Sequence, residues 1–307
     1  MTFFNFIFGN RLPSFLNGTD GTDIIFSRGG DDVVSDGGGN DFVRLGSGDD
    51  PIKVGAGNDI YIGGRGSDTV SFEDTEGGVQ VDLRAKFAST SEGDKVLKSI
   101  ENIIGSGQSD TISGNNRDNV LNGGGGSDEL TGGKGRDAFA FDGDPFDGAD
   151  ISADGRQIIG GEDFITDFNF HDDRYQLNTD DFGVDGELEF ASVNANTSGA
   201  TADVEGANVI VLLNSDNDRN PDTPFLAGTA ANQIAELVEE DGAGFFVYFN
   251  SNLGLNRLVY SENLNDASAD LKIVTRQTDL EGQDAIDALA QFSEENFEFV
   301  SDDLAVA

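Results

Sequence analysis

Across residues 18–71 one apolar side chain recurs every ninth residue, at Ile25, Val34, Val43, Ile52, Tyr61 and Val70, between stretches dominated by glycine and aspartate. An apolar residue flanked by polar neighbours in a three-residue run predicts a short strand, because successive strand side chains point to opposite faces. The segment divides without insertion into GTDGTDIIF, SRGGDDVVS, DGGGNDFVR, LGSGDDPIK, VGAGNDIYI and GGRGSDTVS. A second block over 105–140 reads GSGQSDTIS, GNNRDNVLN, GGGGSDELT and GGKGRDAFA, with Leu130 and Phe139 in the apolar place of its two complete units. A nine-residue period sustained in this way predicts a repeat architecture rather than an ordinary core.

Outside the blocks the pattern changes. In GGVQVDL, Val79, Val81 and Leu83 alternate with polar residues and predict a strand, after which a polar stretch leads to SIENIIGS. From about residue 185 the glycine pattern ends and strand patterns follow: GELEFAS, NVIVLL from Asn208, GFFVYF from Gly244, NRLVYS from Asn256 and LKIVT from Leu271. Apolar residues at helical spacing predict helices over 230–239, behind a Thr229 cap, and over 284–291.

The polar part of the repeat carries the chemistry. In the first block the fourth position is always glycine (Gly21, Gly30, Gly39, Gly48, Gly57, Gly66) and the sixth always aspartate (Asp23, Asp32, Asp41, Asp50, Asp59, Asp68). At this glycine content, six glycines in one register by chance falls below about 10⁻⁴. A glycine that accepts positive φ reverses the loop and turns backbone carbonyls inward, where they converge with the carboxylate. Calcium takes six to eight oxygen ligands, and magnesium's stricter octahedron suits a carbonyl-rich loop less well. The second block offers Gly126 with Asp128 and Gly135 with Asp137, preceded by Asp110 and Asn119 in weaker units where Gln108 and Arg117 replace the glycine. A solvated Gly/Asp linker needs neither the fixed register nor the recurrent apolar residue. Without a counter-ion the recurrent carboxylates repel, so metal binding is expected to be linked to folding.

These units resemble the G-G-x-G-x-D-x-U-x repeat of the RTX, or haemolysin-type calcium-binding, family. The resemblance implies an all-β fold: a parallel β-roll in which two nonapeptides make one coil, followed by a β-rich C-terminal capping domain with one or two short helices. Residues 18 apart would then stack, Asp23 on Asp41, Asp32 on Asp50, Asp41 on Asp59, Asp50 on Asp68 and Asp110 on Asp128. GGVQVDL and SIENIIGS resemble a segment found between repeat blocks in that family, and 72–104 is expected to continue the roll with irregular coils. DFITDFNFHDDRYQLN, from Asp163, is similar to the segment that closes the roll, with His171 in a glycine place and Gln176 in an aspartate place. Asp163 and Asp167 are then either ligands of a terminal ion or polar residues of a strand edge, and the sequence leaves both open. The expected organisation is a cap strand or tail over 1–17, repeats over 18–71, the insert over 72–104, repeats over 105–140, a closing segment over 141–184 and the C-terminal cap over 185–307. The end of the chain, NFEFVSDDLAVA, is similar to the uncleaved signals that such proteins present to type I secretion machinery, with a terminal strand as the plainer reading.

Composition narrows the function. The chain has 307 residues, 58 Asp+Glu against 18 Lys+Arg and a formal net charge of -40, which repels phosphate backbones and excludes nucleic acid as a partner. With no Cys and one His it offers no thiolate metal site and no H-E-x-x-H motif, and G-x-S-x-G is absent. His171 reads as an exposed loop residue. Only about 17 residues precede the first repeat, so no catalytic domain is expected there and the chain is expected not to be an enzyme; an unrecognised C-terminal site is the alternative. No run approaches a transmembrane segment, and the start lacks a secretory signal pattern. Several calcium ions, export by type I machinery and an extracellular location are expected. The alternative is a calcium-dependent adhesin or surface-layer component with a cell-surface or glycan contact, for which an exposed Phe-rich start over 2–8 would speak.

Overall fold

The computed structural model describes residues 4–143, 158–159, 162–194, 204, 206–215, 228–239 and 241–301. The chain separates into two compact units that divide between Ala140 and Phe141.

The first unit is a β-roll of two sheets. One runs Asn5–Phe8, Asp23–Phe26, Phe42–Ser47, Asp59–Arg65, Gly93–Lys98, Phe87–Thr90, Gln80–Asp82, Thr111–Ser113 and Glu129–Thr131. The other runs Phe15–Thr19, Val33–Gly37, Pro51–Lys53, Thr69–Ser71, Asn102–Ile104, Val120–Asn122 and Ala138–Phe141. Strands contributed by the repeats pair in parallel, as Ile24↔Phe42 and Phe42↔Ile60 do in the first sheet and Val34↔Ile52 in the second. Every eighth-position side chain is fully buried at 0% exposure, Ile25, Val34, Val43, Ile52, Tyr61, Val70, Ile112, Leu121, Leu130 and Phe139 alike. At about 1.5–3 kcal/mol for each large apolar side chain, this column drives the collapse that the short strands could not achieve alone.

The insert departs from the expected coils. Val81 is buried in the predicted strand, Gln80–Asp82, but Phe87–Thr90 pairs antiparallel with both Gln80–Asp82 and Gly93–Lys98. An antiparallel meander thus widens the first sheet, while the second continues directly from Thr69–Ser71 to Asn102–Ile104. Lys86, in the turn before Phe87–Thr90, and Ser99, just after Gly93–Lys98, take positive φ, a conformation that glycine usually supplies.

The second unit contains a mixed sheet in the order Asp163–Ile165, Leu271–Gln277, Leu255–Ser261, Gly244–Asn250, Val209–Ser215 and Phe190–Val193, with Ile158–Ile159 also beside Leu271–Gln277. The three middle strands are antiparallel neighbours. Helices form over Thr179–Phe182, Gly228–Ala235 and Gly282–Leu289. The second of these starts before Thr229, which lies inside the first turn rather than at the cap, and the third starts two residues ahead of the predicted one. Ile210, Leu212, Ile234, Phe246, Tyr248, Val259 and Ile273 share one buried core. Arg174–Asn178 pairs in parallel with Phe297–Val300, and Phe168, Tyr175, Phe292 and Phe297 stack beside them. The terminal apolar patch is therefore a strand; residues 302–307 lie outside the described residues. Among the described residues no helix is long and apolar enough to cross a membrane.

Candidate metal centre

The strand register fixes the loops. Because Ile24 pairs with Phe42 and Phe42 with Ile60, each sixth-position aspartate lies beside the one 18 residues on. The N–H of Asp23 donates to Asp41 Oδ1 at 2.6 Å, that of Asp32 to Asp50 at 2.7 Å, that of Asp41 to Asp59 at 2.8 Å and that of Asp50 to Asp68 at 3.3 Å. In the second block Asp110 donates to Asp128 at 2.7 Å and Asn119 to Asp137 at 2.9 Å. The stacks expected from the sequence are all present. Fifth-position side chains form an outer ladder in the opposite sense, Asn40 accepting from Asn58 N–H and Asp49 from Ser67 N–H.

The fourth-position glycines bring the loop backbones together. Positive φ occurs at Gly30, Gly39, Gly48, Gly57, Gly66, Gly126 and Gly135 but not at Gly21, which opens the first loop. At Gly57 a Cβ would lie 1.4 Å from the Gly39 carbonyl oxygen, so the carbonyls of neighbouring loops approach as only glycine permits.

The sixth-position acids are buried: Asp23, Asp32, Asp50 and Asp68 are at 0% exposure, with Asp41 and Asp59 nearly so. Asp23 Oδ1, Asp41 Oδ2, Asp50 Oδ2 and Asp68 Oδ2 are enclosed with no hydrogen-bond donor. Burial pushes the Asp41 and Asp50 carboxyls up to about 6 and the Asp68 carboxyl to about 7, neighbouring carboxylates adding to the rise. Asp32 and Asp110 are raised for the same first reason. Asp23, Asp41, Asp50 and Asp68, stacked on other acids and each with an orphaned oxygen, form no ion pair among the described residues, and such groups cost several kcal/mol unless a cation is supplied. Loop carbonyls beside paired carboxylates make an all-oxygen donor set suited to a hard divalent cation of calcium's size. The residues fit that ion.

Three features of the site were not legible as ligand pattern. Asp36 occupies the first position of its unit, is at 0% exposure, and groups with Asp41 and Asp59 so that their oxygens lie within 4.8 Å of one another. Its Oδ1 accepts from Gly55 N–H at 2.7 Å and its Oδ2 from the Tyr61 hydroxyl at 2.5 Å, while burial raises its carboxyl to about 7. The signal for this was Tyr61, the one hydroxyl-bearing side chain in the otherwise aliphatic eighth position of the block. Lys95 is buried against Asp59 at 2.6 Å. Glu101, at the register of Asp68, accepts from Arg117 at 2.9 Å, so the arginine that replaces a glycine holds an acid in the stack.

The remaining candidates lie elsewhere. Asp163 is within a strand, paired with Thr275, and Asp167 follows that strand; neither joins a three-carboxylate cluster among the described residues. His171 sits exposed in the turn after Asn169. A search of curated proteins finds no match to this chain. The RTX calcium-binding nonapeptide repeat (4 copies) matches residues 17–52, 46–70 and 104–139, the same segments that build the stacked loops. The loops of the roll are therefore built of RTX calcium-binding nonapeptide repeats, and calcium is the ion that such repeats bind.

Proposed function

We propose that this is a secreted protein whose roll folds by taking several calcium ions between stacked loops after export through type I machinery, and whose role is structural or binding rather than catalytic. The observation that carries the reading is the column of buried aspartates with orphaned oxygens, which is unfavourable in a calcium-poor interior and favourable outside the cell. The carboxylate cluster of Asp36, Asp41 and Asp59 is closed to solvent and to substrate, and His171 stands apart on its exposed turn. Expression of the full chain with and without a type I exporter, at low and millimolar external calcium, tests it. Folded protein should accumulate in the medium only with exporter and calcium; folded, calcium-free protein retained in the cytosol contradicts it.

A second reading, attachment to an anionic cell-surface glycan, is favoured by one patch. Phe6 and Phe8, on a strand that pairs with Asp23–Phe26, and Phe4 just before it are more than half exposed, so the start is both a cap strand and an apolar surface. Phe8 and Phe26 line a groove of about 810 Å³ with Arg28, Arg44 and Arg65, and the Arg28 guanidinium lies 5.5 Å from the Phe8 ring centre. Among the described residues none of these arginines pairs with a carboxylate, in a chain of net charge -40. Replacing all three with alanine should abolish retention on an acidic polysaccharide matrix in calcium; unchanged retention sinks this role.

A further inference from the structure

Lys95 stands where the repeat would place an aspartate. Gly93–Lys98 pairs in parallel with Asp59–Arg65, with Lys95 opposite Asp59. Asp94 N–H donates to Asn58 Oδ1 at 2.9 Å, the same outer ladder that joins Asn58 to Asn40. Gly93 has a φ of +131° and packs on the Gly57 carbonyl as Gly57 packs on that of Gly39. The segment Gly93, Asp94, Lys95 therefore forms a further loop on the stack, displaced by 36 residues from Asp59 instead of 18.

The ammonium of Lys95 is at 0% exposure and donates to Gly55 O at 2.8 Å, Gly57 O at 2.6 Å and Asp59 Oδ2 at 2.6 Å. Its three donors meet three oxygens, two loop carbonyls and one carboxylate, which are the donors a calcium ion would take from that loop. Asp59 has no orphaned oxygen, since Lys95 and the Tyr61 hydroxyl reach its Oδ2 and Asp41 N–H its Oδ1, whereas Asp23, Asp41, Asp50 and Asp68 each have one.

We infer that Lys95 is a tethered substitute for a calcium ion, which closes the interval between the Asp59 loop and the insert to metal and holds it together with the protein's own charge. The inference rests on the reading of the repeats as calcium sites and specifies which interval does not take an ion. The stack ends on the Lys95 ammonium instead of a further carboxylate, and the antiparallel meander starts from the same strand.

The test is calcium stoichiometry of the full chain, by equilibrium dialysis with metal analysis, for the wild type, Lys95→Asp and Lys95→Met. Lys95→Asp should bind one more calcium per chain than the wild type, because it restores a paired-aspartate interval. Lys95→Met should bind no extra ion and should fold only at several-fold higher calcium, read by circular dichroism, because Asp59 loses its cation. Lys95→Asp with the wild-type number of ions, or Lys95→Met with an unchanged folding midpoint, overturns the inference. A wild type that binds no calcium sinks the reading of the repeats instead, so the two failures are distinct.

Discussion

A methyl group at Gly57 would meet the Gly39 carbonyl at 1.4 Å, at a φ of +138°, so Gly57→Ala strains the backbone and separates two loops at once. It should cost at least about 2 kcal/mol in denaturant unfolding with saturating calcium, whereas Gly107→Ala, with nothing within 4 Å, should stay within about 0.5 kcal/mol. Equal effects would contradict the close approach of the loops. Tyr61→Phe removes the hydroxyl that donates to Asp36 Oδ2 at 2.5 Å, with Asp59 Oδ2 3.1 Å away, and leaves Asp36 Oδ2 without that donor in the roll. A loss of about 1–3 kcal/mol in the same assay is expected; no loss would mean that the phenol is not that donor. Asp41 is shared by the intervals toward Asp23 and toward Asp59, whereas Asp23 has a repeat aspartate on one side only. Asp41→Ala should therefore weaken calcium binding more than Asp23→Ala, as titration calorimetry would show, and the reverse order would count against the stacking register.

The roll as an element should respond to pH in opposite ways with and without metal. Burial raises Asp41 and Asp50 to about 6, and Asp36 and Asp68 to about 7, from an ordinary value of 3.8. Between those limits a folded roll holds protons that the unfolded chain has lost, so the fraction of the chain that folds in chelator should fall as pH rises from about 4 to 7. Calcium competes for the same oxygens, so its affinity should fall as pH drops below about 6–7. Residual β-structure in chelator that grows toward pH 7 would contradict this. The same element shows what a single sequence can reveal. Repeat register and buried column were legible because one apolar residue and one aspartate recur at fixed spacing, and each such position landed as expected. The meander was not, since Val79, Val81 and Leu83 announce a strand but carry no information on which neighbour it pairs with or in which direction. Lys95 was hidden for a related reason: in GDKVLK it reads as a solvated residue, and only the pairing with Asp59 brings it inside. In the second unit, strand cores were legible from their aliphatic runs, while helix starts shifted because the first turns at Gly228 and Gly282 begin on glycine, which carries no helix signal.

At the scale of the whole molecule, a net charge of -40 favours expansion, and the roll concentrates its acids in buried columns. Tyr61 lies inside the roll, whereas Tyr175, Tyr248 and Tyr260 are buried in the second unit, so the chain carries separate aromatic reporters for its two parts. The most direct test of the account is a calcium titration of the full chain from a chelated state, with magnesium as control, following far-UV circular dichroism and bound ions together. The account predicts a cooperative gain of β-structure with several calcium ions bound and little response to magnesium. A flat response, or an equal one with magnesium, would contradict it.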